Sequence, residues 1–88
     1  MSYKERIQFI AAVLTFLSIP YEMRPLYEGW QLIFPWCDGD VACHRGTYEQ
    51  ANGMVETYQF PWDDDDVSVL TPTEAAIKIV SLYGQGMI

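Results

Sequence analysis

Two acidic runs carry the side chains best suited to holding a cation. Asp38-Gly39-Asp40 and Asp63–Asp66 offer the carboxylate oxygens that Ca²⁺ or Mg²⁺ takes as ligands. Neither completes an EF-hand loop, which needs alternating oxygen ligands closed by a bidentate glutamate. The four adjacent carboxylates repel one another, which raises the pKa of one of them and hints at function only where that group is also desolvated. The plainer expectation is a solvated acidic turn whose aspartates cap nearby backbone. Cys37, Cys43 and His44 could ligate zinc with Asp38 or Asp40, but no paired C-x-x-C knuckle is present. Cys43 and His44 are adjacent, so on a strand they point to opposite faces. The same adjacency parts a nucleophile from its base, and no third group orients them. His44 with Glu49 or Glu56 would be an acid–base pair, although a lone histidine near a turn is more often a surface residue. Scattered glycines make no phosphate loop. The chain is therefore expected to be non-enzymatic, with no metal or cofactor.

Each acidic run follows the same aromatic phrase. Phe34-Pro35-Trp36-Cys37-Asp38-Gly39-Asp40-Val41 recurs as Phe60-Pro61-Trp62-Asp63-Asp64-Asp65-Asp66-Val67, with six of eight positions identical. Both copies read as the end of a strand leaving the sheet through an acidic turn, since proline removes a ladder donor and belongs at a strand end or edge. Pairing around a turn at Glu28-Gly29 would set Tyr27 against Trp30, Pro25 against Leu32, Met23 against Phe34 and Tyr21 against Trp36. Those eight side chains share one face, leaving Glu22, Arg24, Gln31 and Ile33 on the other. Pro25 marks the first strand as an edge. Val41–Arg45 is a short strand, residues 46–53 are irregular, and Met54–Phe60 is the last strand. Superposed repeats match Leu32 with Tyr58, Phe34 with Phe60 and Trp36 with Trp62. Met54, Tyr58, Phe60 and Trp62 then form one face.

Two helices flank these strands. Residues 7–19 are apolar, with Lys4, Gln8, Ala11, Thr15 and Ser18 as a narrow wet stripe opposite Ile7, Ile10, Val13, Leu14 and Leu17. A run of thirteen is short of the ~20 residues that span a bilayer, and no small-residue cleavage site follows it. It reads as a mostly buried core helix stopped before Pro20. Near the C-terminus, Thr71-Pro72-Thr73-Glu74 is a capping box with proline at the first helical position. Glu74, Lys78, Ser81 and Gln85 face solvent there; Ala75, Ala76, Ile79, Val80 and Tyr83 face inward; Gly84 ends the helix. The resulting fold is a single α+β domain over residues 1–88. It has two layers: an N-terminal helix, a three- to four-stranded antiparallel sheet and a C-terminal helix.

Twelve acidic residues against five basic ones give a net charge of −7, which argues against a duplex nucleic-acid surface. Thirteen aromatic residues are more than so small a core obviously needs, and tryptophan and tyrosine anchor interfaces. The segment Glu56–Asp63 with Asp66–Pro72 resembles small uncharacterised proteins of bacteriophages and prophages from Gram-positive bacteria. That resemblance implies a cytoplasmic setting and an accessory role, for instance binding or inhibiting a host or phage protein. The functional expectation is an acidic protein-binding module, with no membrane partner and room for self-association. Its contact residues would be Trp36, Asp38, Asp40, Trp62, Asp63, Asp64, Asp65 and Asp66. The competing expectation is a divalent-cation site shared by both acidic turns, which requires them to converge. If the Val41–Arg45 strand fills the free edge of the hairpin, the two exits are expected to lie apart.

Overall fold

Ser2 begins the first helix by capping it. Its hydroxyl accepts the Glu5 backbone N–H at 3.1 Å, and the Glu5 carboxylate accepts the Ser2 N–H at 3.2 Å. In this computed structural model, which describes residues 2–26, 29–43, 53–63 and 67–86, the helix is α1, Tyr3–Phe16. It ends in a Schellman arrangement, with Ser18 N–H on the Thr15 carbonyl and Ile19 N–H on that of Leu14. Ser18 takes the left-handed conformation that glycine usually supplies there. Arg6, Ile7, Ile10, Ala11 and Leu14 are the buried residues of α1. Ala11 is thus on the dry side and Leu17 on the wet side, the reverse of the periodicity reading. Phe9 and Phe16 are also exposed, so α1 is less buried than expected.

Five strands follow: β1 Glu22–Leu26, β2 Gly29–Ile33, β3 Asp40–Cys43, β4 Val55–Tyr58 and β5 Val67–Leu70. They form one antiparallel sheet in the order β1-β2-β3-β4-β5. The second helix, α2, runs Pro72–Gly86 behind the Thr71 capping box, with Glu74 N–H on Thr71 Oγ1 at 3.0 Å. Gly84 lies inside this helix, not at its end, and its solvent-exposed site lets the last turn continue. α1 packs on β2 and β3, α2 on β4 and β5, and the two helices on each other. The fold is α+β, with one or two strands more than expected. None of the helices among the described residues is long and apolar enough to cross a membrane.

Two sequence expectations about the sheet are corrected. Met23 pairs with Leu32 and Leu26 with Gly29, so Gly29 is a strand residue and the β1–β2 register differs by two from that read at Glu28-Gly29. A two-residue shift preserves every face assignment, because side chains alternate with a period of two. Met23, Trp30, Leu32 and Phe34 accordingly pack with the core, while Arg24 and Glu22 pair on the other side. In β4 the faces are inverted. Val55 and Thr57 pair with Leu70 and Ser68, and Thr57 with Val41, so both point at the helices. Tyr58 lies on the opposite face beside Glu56, to whose carboxylate its hydroxyl donates. Phe60 still reaches the core because Gln59 adopts φ 60°, and that left-handed residue breaks the alternation.

Candidate functional site

β2 and β4 each pair antiparallel with β3, so they run parallel to one another and leave the sheet at the same end. The acidic exits therefore converge, contrary to the expectation that they lie apart. They are separated only by β3, or ~10 Å at the usual strand spacing. The repeat now has a structural meaning: its copies connect β2 to β3 and β4 to β5, each starting as an aromatic exit and finishing in the next strand. Phe34 and Phe60 meet across β3 with ring centroids 5.8 Å apart in an edge-on contact. Both rings are buried, as expected.

The second exit is folded onto itself. Asp63 N–H bonds the Phe60 carbonyl at 2.9 Å, and its carboxylate accepts the Phe60 N–H at 3.1 Å and the Thr57 hydroxyl at 2.9 Å. Thr57 is fully buried, and its oxygen takes the Trp62 indole N–H at 3.0 Å. Trp62 stacks on Phe60 at 4.4 Å with the ring planes nearly parallel, and Lys78 Nζ sits 5.4 Å from the Trp62 ring centroid. Trp62 and Asp63 thus serve the turn itself, and their polar groups are committed inside it.

The first exit is built differently. Cys37 stands where the second copy has Asp63. Burial pushes the Cys37 thiol above its ordinary pKa, and the Asp38 charge adds to the shift. Gly39 lies against Phe60: a Cβ there would stand 2.5 Å from two ring carbons. The glycine of the first repeat is what lets the aromatic ring of the second close over it. Trp36 packs on Phe34 and, at 5.0 Å, on Tyr83 of α2, and donates its indole N–H to the Pro20 carbonyl at 2.9 Å.

Between the exits and the end of α2 lies a cleft of about 440 Å³, within the range of ligand sites. Trp36, Phe60, Pro61, Leu82 and Tyr83 make its apolar floor, with Cys37, Asp38 and Gln59 at the rim. Asp38 is exposed. Asp40 is half-buried between the exits, accepts a 2.8 Å hydrogen bond from Gln31 on the sheet face away from the helices, and does not rim Trp36. Burial raises its pKa, the Asp63 charge adds to this, and the Gln31 bond opposes it.

Of the expected contact residues, the structure brings Trp36 and Asp38 to this cleft, places Asp40 behind it and uses Trp62 and Asp63 in the adjoining turn. Asp64, Asp65 and Asp66 lie outside the described residues, as do Tyr27, Glu28, His44 and Glu49. Neither Cys37 nor Cys43 is in a disulfide. Buried Cys43 faces Arg6, whose guanidinium donates to its sulfur at 3.3 Å and to the Met54 carbonyl at 3.1 Å. Among the described residues no three histidine, cysteine, aspartate or glutamate side chains gather at metal-binding range. The sequence reading missed Tyr83, Leu82 and Gln59 as cleft residues. Tyr83 carried a signal, because it is an inward aromatic at the helix end nearest the exits. In comparisons with known proteins, no family model, curated protein or solved structure matches this chain.

Proposed function

We propose that the chain is a non-enzymatic protein-binding module whose partner inserts an apolar side chain, flanked by lysine or arginine, into the cleft between the two exits. One observation carries this reading: the duplicated exits converge on an apolar floor with an exposed carboxylate, Asp38, at its rim. An aromatic floor supplies desolvated contact area, and a charged rim selects and steers the partner. The net charge of −7 favours a basic partner segment in the same way. A left-handed Gln59 at the cleft wall fits the habit of strained backbone to collect at functional sites. Burial raises the Cys37 thiol above its ordinary pKa, so it carries less thiolate than an exposed cysteine. The resemblance to small phage proteins agrees with an accessory, cytoplasmic role exercised through another protein.

Panning a random peptide library against the immobilised protein tests this. Enriched peptides should pair an aromatic or long aliphatic residue with lysine or arginine, and should be lost on Tyr83→Ala and weakened by Asp38→Lys. Enrichment of acidic peptides, or peptides indifferent to both variants, would contradict the reading.

A further inference from the structure

The cleft beside Asp38 continues past its own wall. Pro61 and Leu82 line it and also line a second groove of about 470 Å³ between the second exit and α2, so the two residues form a saddle between the pockets. Trp62 walls this second groove on the exit side, and Ile77, Lys78 and Gln85 wall it on the helix side. Ile77 and Gln85 stand a little over two turns apart on α2, so the groove follows the helix axis for about 12 Å.

The two pockets differ in charge. Asp38 lines the first and not the second, Lys78 the second and not the first, and both side chains are exposed. Lys78 Nζ lies 5.4 Å from the Trp62 centroid, and a ring face attracts an ammonium without satisfying all three of its N–H donors. Among the described residues no carboxylate comes within ion-pair distance of Lys78, the pair found there being Arg24 with Glu22. Glu74, one turn earlier on α2, accepts the Thr71 N–H at 3.4 Å, and the Asp63 carboxylate is turned inward to Thr57 and Phe60. The chain's net negative charge is screened beyond ~8 Å at physiological salt, so Lys78 decides which charge this end of the groove accepts.

Resting on the cleft reading above, we infer that the partner is an extended segment of mixed polarity filling both pockets. It places a lysine or arginine at Asp38, an apolar anchor in the cleft, and an aspartate or glutamate at Lys78. The order along the groove is set by the saddle, which has one charge on either side. A chain running from the middle of the cleft over the saddle to Lys78 covers one helical turn, about 6 Å, plus half the cleft's width. That is on the order of 10 Å, or about three residues at ~3.3 Å each. The partner's acid therefore stands about three positions from its anchor, on the side away from the basic residue.

Fluorescence anisotropy with labelled synthetic peptides tests this. Each peptide carries lysine next to tryptophan and a glutamate one to five positions beyond, in both chain directions, with a glutamine version as reference. In one direction, glutamate about three positions out should bind roughly two- to fivefold tighter than glutamine, the worth of an exposed ion pair. Lys78→Glu should abolish that preference, and a peptide with lysine at the same position should then bind this variant better than the glutamate peptide does. Lys4→Glu makes the same charge change over Trp30, away from both pockets, and should keep the preference. Both lysines are exposed, so circular dichroism should show both variants folded. Binding that needs Tyr83 and Asp38 but shows no preference for an acid at any position would overturn the inference and leave the cleft reading standing. A preference that survives Lys78→Glu, or is lost equally with Lys4→Glu, would do the same. Peptides that fail to bind, or bind regardless of Tyr83→Ala and Asp38→Lys, would overturn both.

Discussion

Gly39→Ala tests how closely the two repeats interlock. Gly39 does not use left-handed backbone, so alanine would ordinarily stabilise the chain by ~0.4–1 kcal/mol through the unfolded state. Here the added methyl would meet Phe60 Cδ1 and Cε1 at 2.5 Å and Cγ at 2.7 Å. The ring cannot readily yield. It is buried, stacked flat on Trp62 at 4.4 Å and held edge-on by Phe34 at 5.8 Å. Overpacking of this kind costs ~1–3 kcal/mol, which outweighs the entropic gain. Urea denaturation should show a lower midpoint with an unchanged slope, and a net loss of about 1–2 kcal/mol. In a Phe60→Ala background, already weaker by ~3–5 kcal/mol, the same substitution should become neutral or mildly stabilising. A wild-type background that tolerates alanine, or an equal loss in both backgrounds, would refute the interlocking of Gly39 with Phe60.

Thr57→Val removes the acceptor for the Trp62 indole and one donor to Asp63, so it should cost ~1–3 kcal/mol and shift tryptophan fluorescence. Asp40 has a raised folded pKa, so the folded state holds its proton longer than the unfolded state, and its ionisation lowers stability as pH rises from the ordinary aspartate value of 3.8 through that folded pKa. Asp40→Asn should therefore gain stability relative to wild type near pH 7 and not at about pH 2.5, where the aspartate is neutral in both the folded and unfolded states. Denaturation midpoints at the two pH values check the sign. Iodoacetamide should modify Cys37 more slowly than a free thiol at pH 8, because burial raises its pKa, and Cys43 only on unfolding.

The presence of both helices and the α+β class were legible because periodicity and capping are local, but their C-terminal ends were not: α1 stops at Phe16, short of Pro20, and α2 runs through Gly84. The Thr71 box started α2 where the sequence placed it, and the buried Phe34 and Phe60 followed from the repeat. Register was legible only to within two residues, since alternation cannot see a shift that keeps every face. The inverted face of β4 depends on Gln59, whose left-handed backbone has no signature in a residue type that rarely adopts it. β5 was readable and overlooked: the repeat aligns Val67 with Val41, a strand residue, so a strand after the second acidic run was already implied. Convergence of the exits needed the order of β2, β3 and β4, from which parallel orientation of the outer two follows. The cleft needed one step more, the placement of Tyr83 and Leu82 beside the exits, which only helix packing decides.

Binding at that cleft is tested most directly by titrating a panning-selected basic peptide into ¹⁵N-labelled protein and following the three indole N–H signals. The Trp36 signal, with backbone amides of Asp38, Gln59 and Tyr83, should shift saturably, while Trp30 stays in place. Asp38→Lys should weaken that saturation and raised salt should reduce it. Shifts confined to Phe9, Phe16 and Ile77, or a saturable peptide that leaves Trp36 and Tyr83 untouched, would contradict a partner site between the duplicated exits.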